Sequence, residues 1–251
     1  MSADRRLLAV IPARGGSKDL PGKNIKSFAG LPLIAHTILF AKLCPDMTRV
    51  LVSTDSPQIA EVARAFGGEA PFLRPVELAQ DESPLWPVLQ HALDWVEAHE
   101  RAHYDLLLLL DPTSPAREPS DITEALTRLC RHAAADGVIG VSQPNFNPIW
   151  HGVVERDGWM IDLHPEGGGY TRRQELPTVY RINGSLYLWR TEFVRAQTER
   201  TWRAQGRHLL HEIPESRAMS IDTAEEFARA EALVNAGLIT FPWLSEHPVR
   251  S

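Results

Sequence analysis

Residues 11–24, Ile11-Pro12-Ala13-Arg14-Gly15-Gly16-Ser17-Lys18-Asp19-Leu20-Pro21-Gly22-Lys23-Asn24, concentrate groups that suit a polyphosphate. Gly15 and Gly16 carry no Cβ, so backbone amides can approach an anion closely, and Ser17 adds a hydroxyl donor. Arg14, Lys18 and Lys23 can neutralise several phosphate charges. The order is neither GxxxxGK[ST] nor GxGxxG, which excludes those two phosphate loops. Lysine usage supports the same chemistry. The chain has four lysines against 22 arginines, and Lys18, Lys23 and Lys26 fall within nine residues. Lysine is a compact point charge on a flexible stem, whereas arginine is a planar fork. Chance clustering on a solvated loop is the alternative, and it leaves the neighbouring phosphate-compatible groups unexplained.

The elements that must position this loop read as strands alternating with helices. Leu7 to Pro12 is a short apolar strand bounded by Pro and Gly. A helix follows over Leu31 to Leu43, then a strand at Arg49 to Ser53. The next helix runs from Pro57 to Phe66, with Ser56 as N-cap, Pro57 at N1 and Gly67 past its end. A strand near Ala70 to Leu73, a helix from Pro84 to His99, and the very apolar strand Asp105 to Leu110 come next. Asp121 to His132 and Gly137 to Val141 give a further helix and strand. This alternation predicts an α/β fold with a doubly wound, mostly parallel sheet of Rossmann-like type, binding ligands beyond the strands' carboxyl ends. From about Gln143 to Thr178 the pattern breaks: Pro and Gly, the hairpin pair Asp157-Gly158 and the run Gly167-Gly168-Gly169 suggest an inserted β-arm. Phe146, Ile149 and Trp150 lack an evident core there. Val179 to Trp189 resumes as strand, followed by a helix over Glu192 to Ala204, a short strand to Ile221 and a helix from Thr223 to Ala236. Residues after Gly237 read as a loose tail, although Phe241, Trp243 and Leu244 need somewhere to dock.

A chain of 251 residues, 43% hydrophobic, fits one domain over residues 1–251 carrying an insertion at about 143–178. The longest apolar runs are too short to cross a membrane, and Arg5 and Arg6 lead straight into a strand with no secretory h-region. The net charge of −6 without a basic tract excludes broad nucleic-acid binding. Cys44 and Cys130 lack metal-ligand spacing and read as small buried hydrophobes. These features predict a cytoplasmic protein. Of ten histidines only His91 and His164 stand out, and ordinary core or surface roles suffice for both. Asp55, at the end of its strand, is either a nucleotide contact or part of a helix-initiating turn. The scattered Trp and Phe residues favour core packing over a stacking platform.

The loop at 11–24 resembles the signature of the CMP-N-acylneuraminate synthetases, which are sugar-activating cytidylyltransferases. Val52-Ser53-Thr54-Asp55, Leu73-Arg74-Pro75-Val76-Glu77-Leu78-Ala79, Pro112-Thr113-Ser114-Pro115, Arg181-Ile182-Asn183-Gly184 and Ile221-Asp222-Thr223 recur in order, so the resemblance spans roughly residues 7–233. It implies CMP transfer from CTP to the anomeric hydroxyl of a sialic-acid-type nonulosonic acid, with magnesium as cofactor. It further implies a homodimer paired through the arm, whose arginines reach the partner's pocket. By the same resemblance, Ala13, Arg14, Gly15, Gly16, Ser17, Lys18 and Lys23 hold the CTP phosphates, Asn24 contacts the nucleotide, and Arg74 lies near the base. Arg173, Arg181 and Asn183 belong to the acidic-sugar site. Asp222 binds magnesium, and Arg14, Lys23 and Asp222 carry catalysis. Asp222 can also be read as an N-cap. Two positions depart from the family pattern. Ser220 stands where many relatives carry a second aspartate, and Asp111 replaces a glutamine near the acceptor. Asp111 could select the sugar, bind the metal, or cap the following turn. The related CMP-Kdo synthetases carry ARxxSxRLPGK in the first loop, and Gly15-Gly16-Ser17-Lys18 with Lys23-Asn24 favours the nonulosonate branch. Another sugar nucleotidyltransferase, or a catalytically inactive nucleotide-binding module, are the competing readings.

Overall fold

The computed structural model of the protein describes residues 5–198 and 201–246. Its longer strands are β1 (Leu7–Pro12), β2 (Arg49–Ser53), β3 (Leu106–Leu109), β4 (Gly137–Ser142), β5 (Val153–Arg156), β6 (Trp159–Asp162), β7 (Arg181–Arg190) and β8 (His208–Glu212). The longer helices are α1 (Leu33–Lys42), α2 (Pro57–Ala65), α3 (Leu85–Glu100), α4 (Pro119–Arg131) and α5 (Ala224–Asn235). Six strands form one sheet in the order β8-β4-β7-β3-β1-β2. β1 runs parallel to both β2 and β3, and β8 parallel to β4. Only β7 is antiparallel to its neighbours. The expected mostly parallel α/β sheet is therefore present, with β7 as its one reversed member.

The sheet is covered on both faces, which is why its central strands are apolar at consecutive positions. Successive side chains point to opposite faces. Leu7, Ala9 and Ile11 of β1 join Leu106 and Leu108 of β3 in a core shared with α1, α2, α4 and α5. Leu8, Val10, Leu107 and Leu109 point the other way, against α3 and Trp189. Two helix starts have a direct bearing on the site. Ser56 Oγ accepts from the Ile59 N–H at 3.4 Å, with Pro57 at N1, as its sequence suggests. Thr223 caps α5 in a reciprocal box with Glu226.

The structure departs from the sequence-based expectations at five places. Ala70 to Leu73 is not a strand: parallel bridges link only Leu51 with Glu69 and Thr54 with Leu73, because Pro71 cannot donate to a ladder. The segment ending at Ile221 makes a single backbone bond, from the Ile221 N–H to the Thr113 carbonyl at 2.9 Å, rather than a strand. The helix expected at 192–204 is two short pieces, Thr191–Ala196 and Trp202–Gln205. Cys130 is exposed and accepts a hydrogen bond from Arg5, while Cys44 is buried. The tail is firmly docked. Phe241 and Trp243 are buried against Phe28, His36 and Phe40, and Trp243 Nε1–H donates to His36 Nδ1 at 3.1 Å.

The insertion at 143–178 carries the antiparallel pair β5–β6. Asp157 and Gly158 turn it with φ of 53° and 81°, the left-handed pair that a tight hairpin demands. Trp159 and Met160 are 74% and 77% exposed, and Phe146 58%. Among the described residues, no helix is long and apolar enough to cross a membrane.

Candidate active site

β1 sits at a switch point, since the chain leaves it toward β2 on one side and returns as β3 on the other. Open α/β sheets bind ligands in the crevice this creates. The loop after β1 is held there by three hydrogen bonds. Buried Ala13 extends the β1–β2 pairing, its N–H donating to the Ser53 carbonyl at 2.9 Å. The Gly15 N–H donates to Asp55 Oδ1 at 2.8 Å. Buried Asn24 donates from Nδ2 to the Arg14 carbonyl at 3.1 Å. Asp55 thus pins the loop, an assignment its sequence left open. A Cβ on Gly15 would lie 3.1 Å from Ser56 Cβ, tight enough to require a shift, whereas Gly16 faces open space.

Arg14, Gly16, Ser17, Lys23, Asn24, Arg74, Asp111, Thr113 and Asp222 line one cleft of about 200 Å³. Lys23 Nζ lies 2.7 Å from Asp222 Oδ1, and Ser220 Oγ donates to Asp222 Oδ2 at 2.6 Å. Burial opposes ionisation of Asp222, but the hydrogen bonds from Lys23 and Ser220 outweigh it and hold the carboxyl below its ordinary range. Because Thr223 caps α5, the Asp222 carboxylate is not consumed as a cap. Ser220 serves as a neutral donor to Asp222.

Arg74 is buried, donating from Nε to Ser53 Oγ at 3.0 Å and from Nη2 to the Ser53 carbonyl. Burial lowers its pKa to about 10. Arg14 and Lys18 both pair with Asp81, a carboxylate that sequence reasoning missed. Asp111 Oδ1 accepts from the Thr113 N–H at 3.1 Å and from Thr113 Oγ1 at 2.9 Å. It caps its own turn, and Oδ2 takes no hydrogen bond from any described residue. Beneath it Arg117, fully buried and with its pKa lowered to about 10 by burial, donates to the carbonyls of Asp111 and Ser185.

The remaining predicted residues lie outside the cleft. Arg173 stands on the arm, lining a separate groove of about 490 Å³ with Phe146, Trp150 and Leu176. Arg181 forms a bidentate pair with Glu215, with contacts of 2.9 to 3.1 Å, and donates to the Ala218 carbonyl at 3.0 Å. Asn183 is buried, donating to Ser142 Oγ at 2.9 Å and accepting from the Ser185 N–H at 3.0 Å. It shapes the bulge where β7 slips against β4, and Gly184 there has φ of 75°. His91 stacks edge-on against Phe72, and His164 lies on the arm beside Glu166.

Known proteins resemble this chain in sequence and in fold. The cytidylyltransferase family profile matches residues 8–129. A CMP-N,N'-diacetyllegionaminic acid synthase of Legionella pneumophila is 35% identical over 91% of this chain and 96% of its own length. The post-translational flagellin modification protein B of Campylobacter coli is 31% identical over 91% and 94%. An N-acylneuraminate cytidylyltransferase of Streptococcus agalactiae is 30% identical over 88% of this chain and 51% of its own length. Among solved structures, a CMP:2-keto-3-deoxy-manno-octonic acid synthetase complexed with CTP superposes with a TM-score of 0.69 at 21% identity, over 92% of this chain and 99% of that one. With a phosphate-suited loop at the switch point of the sheet, and with relatives of this identity along nearly its whole length, the chain belongs to the cytidylyltransferase family.

Proposed function

We propose that this protein transfers CMP from CTP to the anomeric hydroxyl of a sialic-acid-type nonulosonic acid, releasing pyrophosphate. The observation that carries the reading is the cleft itself: Arg14, Lys23, Arg74, Asp111 and Asp222 converge beyond β1, in a chain whose relatives are named for this chemistry. The sugar hydroxyl oxygen forms a bond to the α-phosphorus while the bond to the pyrophosphate oxygen breaks, and the hydroxyl proton passes to solvent or to the departing pyrophosphate. Such a displacement needs positioning and charge neutralisation rather than a protein nucleophile. Arg14, Lys18 and Lys23 take up the charge that grows on the leaving pyrophosphate. Arg74, anchored on Ser53, is fixed for the base end of the nucleotide. Asp111 faces the acceptor and favours a hydroxyl or ammonium group there, because an ionised carboxylate only accepts.

Magnesium fits this donor set. It is typically held by one or two carboxylates plus substrate phosphates, not by a protein cage. No group of three or more His, Cys, Asp and Glu side chains among the described residues could hold a metal alone. Asp222, ionised and with its side chain 51% exposed, would hold the ion, with Asp111 available in the same cleft. When bound, the ion neutralises phosphate charge. The exposed Trp159, Met160 and Phe146 of the arm support pairing of two copies through residues 143–178. Arg173, on that arm, is then free to serve the partner's sugar site.

Pyrophosphate release from CTP, measured with N-acetylneuraminate, N,N'-diacetyllegionaminate and Kdo as acceptors, tests the assignment. Turnover with a nine-carbon acid supports it. Turnover with Kdo alone would replace it by the eight-carbon reading, and no turnover with any acid would leave only a nucleotide-binding module.

A further inference from the structure

The phosphate-binding cations of this protein are already engaged. Arg14 Nη1 donates to Asp81 Oδ1 and Lys18 Nζ pairs with Asp81 Oδ2, so a single carboxylate bridges both. A braced turn presents that carboxylate. The Gln80 N–H donates to Ser83 Oγ at 3.0 Å, Ser83 Oγ to the Glu77 carbonyl at 2.9 Å, and Gln80 Nε2 to the Val76 carbonyl at 2.7 Å. Hydrogen bonds from Lys18 and then Arg14 hold the Asp81 carboxyl below its ordinary range, so it is ionised at neutral pH. Its side chain is 36% exposed, and an incoming anion can reach the same two cations. Two carboxylate oxygens on two cations present what one phosphate group would present. A triphosphate carries several times that charge and repels the carboxylate at close range.

We propose that Asp81 acts through Arg14 and Lys18 as a built-in competitor of phosphate: it occupies both cations between turnovers, yields them to CTP, and recaptures them as pyrophosphate leaves. The inference rests on residues 13–24 being the phosphate loop. Its consequence is that Asp81 competes with phosphate anions. Removing its charge tightens their binding, by about three- to tenfold for two exposed pairs.

The test measures inhibition by magnesium pyrophosphate against CTP, together with the KM for CTP. The proteins are the parent, Asp81→Asn, Asp81→Glu and the charge-matched control Glu61→Gln on the exposed face of α2. The expected result is a three- to tenfold lower Ki and KM in Asp81→Asn, parental values in Asp81→Glu, and no change in Glu61→Gln. Thermal unfolding of the same samples separates a folding defect, which would raise KM without tightening pyrophosphate. A Ki in Asp81→Asn equal to or weaker than the parent's would overturn the role of Asp81 alone. Failure of pyrophosphate to bind the parent would overturn it together with the phosphate-loop reading.

Discussion

His36 should make the stability of this protein fall below neutral pH, by an amount the structure sets. The side chain is fully buried on α1. Its Nδ1 accepts from Trp243 Nε1–H at 3.1 Å, and its Nε2 lies 2.8 Å from the Phe28 carbonyl. Since indole nitrogen only donates and a carbonyl only accepts, the ring must be neutral, with its proton on Nε2. Burial lowers the pKa from 6.5 to about 4, against a smaller upward pull from the Phe28 carbonyl. The folded value is depressed, so the unfolded chain takes up a proton first as pH falls. Stability is complete above pH 7 and is lost between 6.5 and 4. The full loss is about 3 kcal/mol, and about 2 kcal/mol of it has gone by pH 5. Urea unfolding at pH 7.5 and pH 5.0 should therefore show a drop in the parent that exceeds the drop in His36→Gln by about 2 kcal/mol. His91 and His208, also lowered by burial, act in the same direction but are common to both proteins. The lowered carboxyls of Asp121 and Asp222 lose their contribution at more acidic pH. Identical pH dependence in parent and variant would refute the reasoning.

Three further outcomes follow from the cleft and the arm. Lys23→Ala should reduce kcat by about 10²- to 10³-fold while costing at most about 1 kcal/mol of stability, because its partner Asp222 is half exposed; steady-state kinetics and thermal unfolding on one sample check both. Asp111→Asn can keep the cap on Thr113 through its carbonyl oxygen, so it should reorder the preference among sugar acids without changing the magnesium requirement. A loss for every acid, together with a raised magnesium requirement, would make Asp111 a metal ligand instead. Trp159→Glu with Met160→Lys should convert a dimer into a monomer by light scattering at micromolar concentration, and a parent that is already monomeric would remove the arm as an interface.

That the loop after β1 lines the cleft was legible in the sequence because its chemistry is contiguous: glycines, a hydroxyl and three cations lie within residues 14–23. The parallel sheet was legible for a related reason, since strands buried on both faces read as unbroken apolar runs such as Leu106–Leu109. What was missed depends on distant partners. Asp81 lies 67 residues from Arg14, and no local periodicity links them. Trp243 meets His36 across 207 residues, so a tail that looked loose is in fact clamped onto α1. Adjacent Asp222 and Thr223 are both good N-cap types, and only backbone geometry shows that Thr223 does the capping and leaves the aspartate to the cleft. Arg181 and Asn183 share a motif with the site but turn to Glu215 and Ser142, because a bulged strand directs its side chains by register. The segment at 70–73 makes bridges only, in keeping with Pro71, which has no N–H to give a ladder.

On the proposed function, the cleft beyond β1 severs CTP between its α- and β-phosphates and gives CMP to a sugar acid. Phosphorus NMR of a reaction containing CTP, magnesium and a nine-carbon nonulosonic acid tests it directly. The three CTP resonances should be replaced by one phosphodiester signal and by pyrophosphate in equimolar amount, and Lys23→Ala should make the same conversion about 10²- to 10³-fold more slowly. Appearance of CDP with inorganic phosphate, or of pyrophosphate without a sugar phosphodiester, would contradict the account.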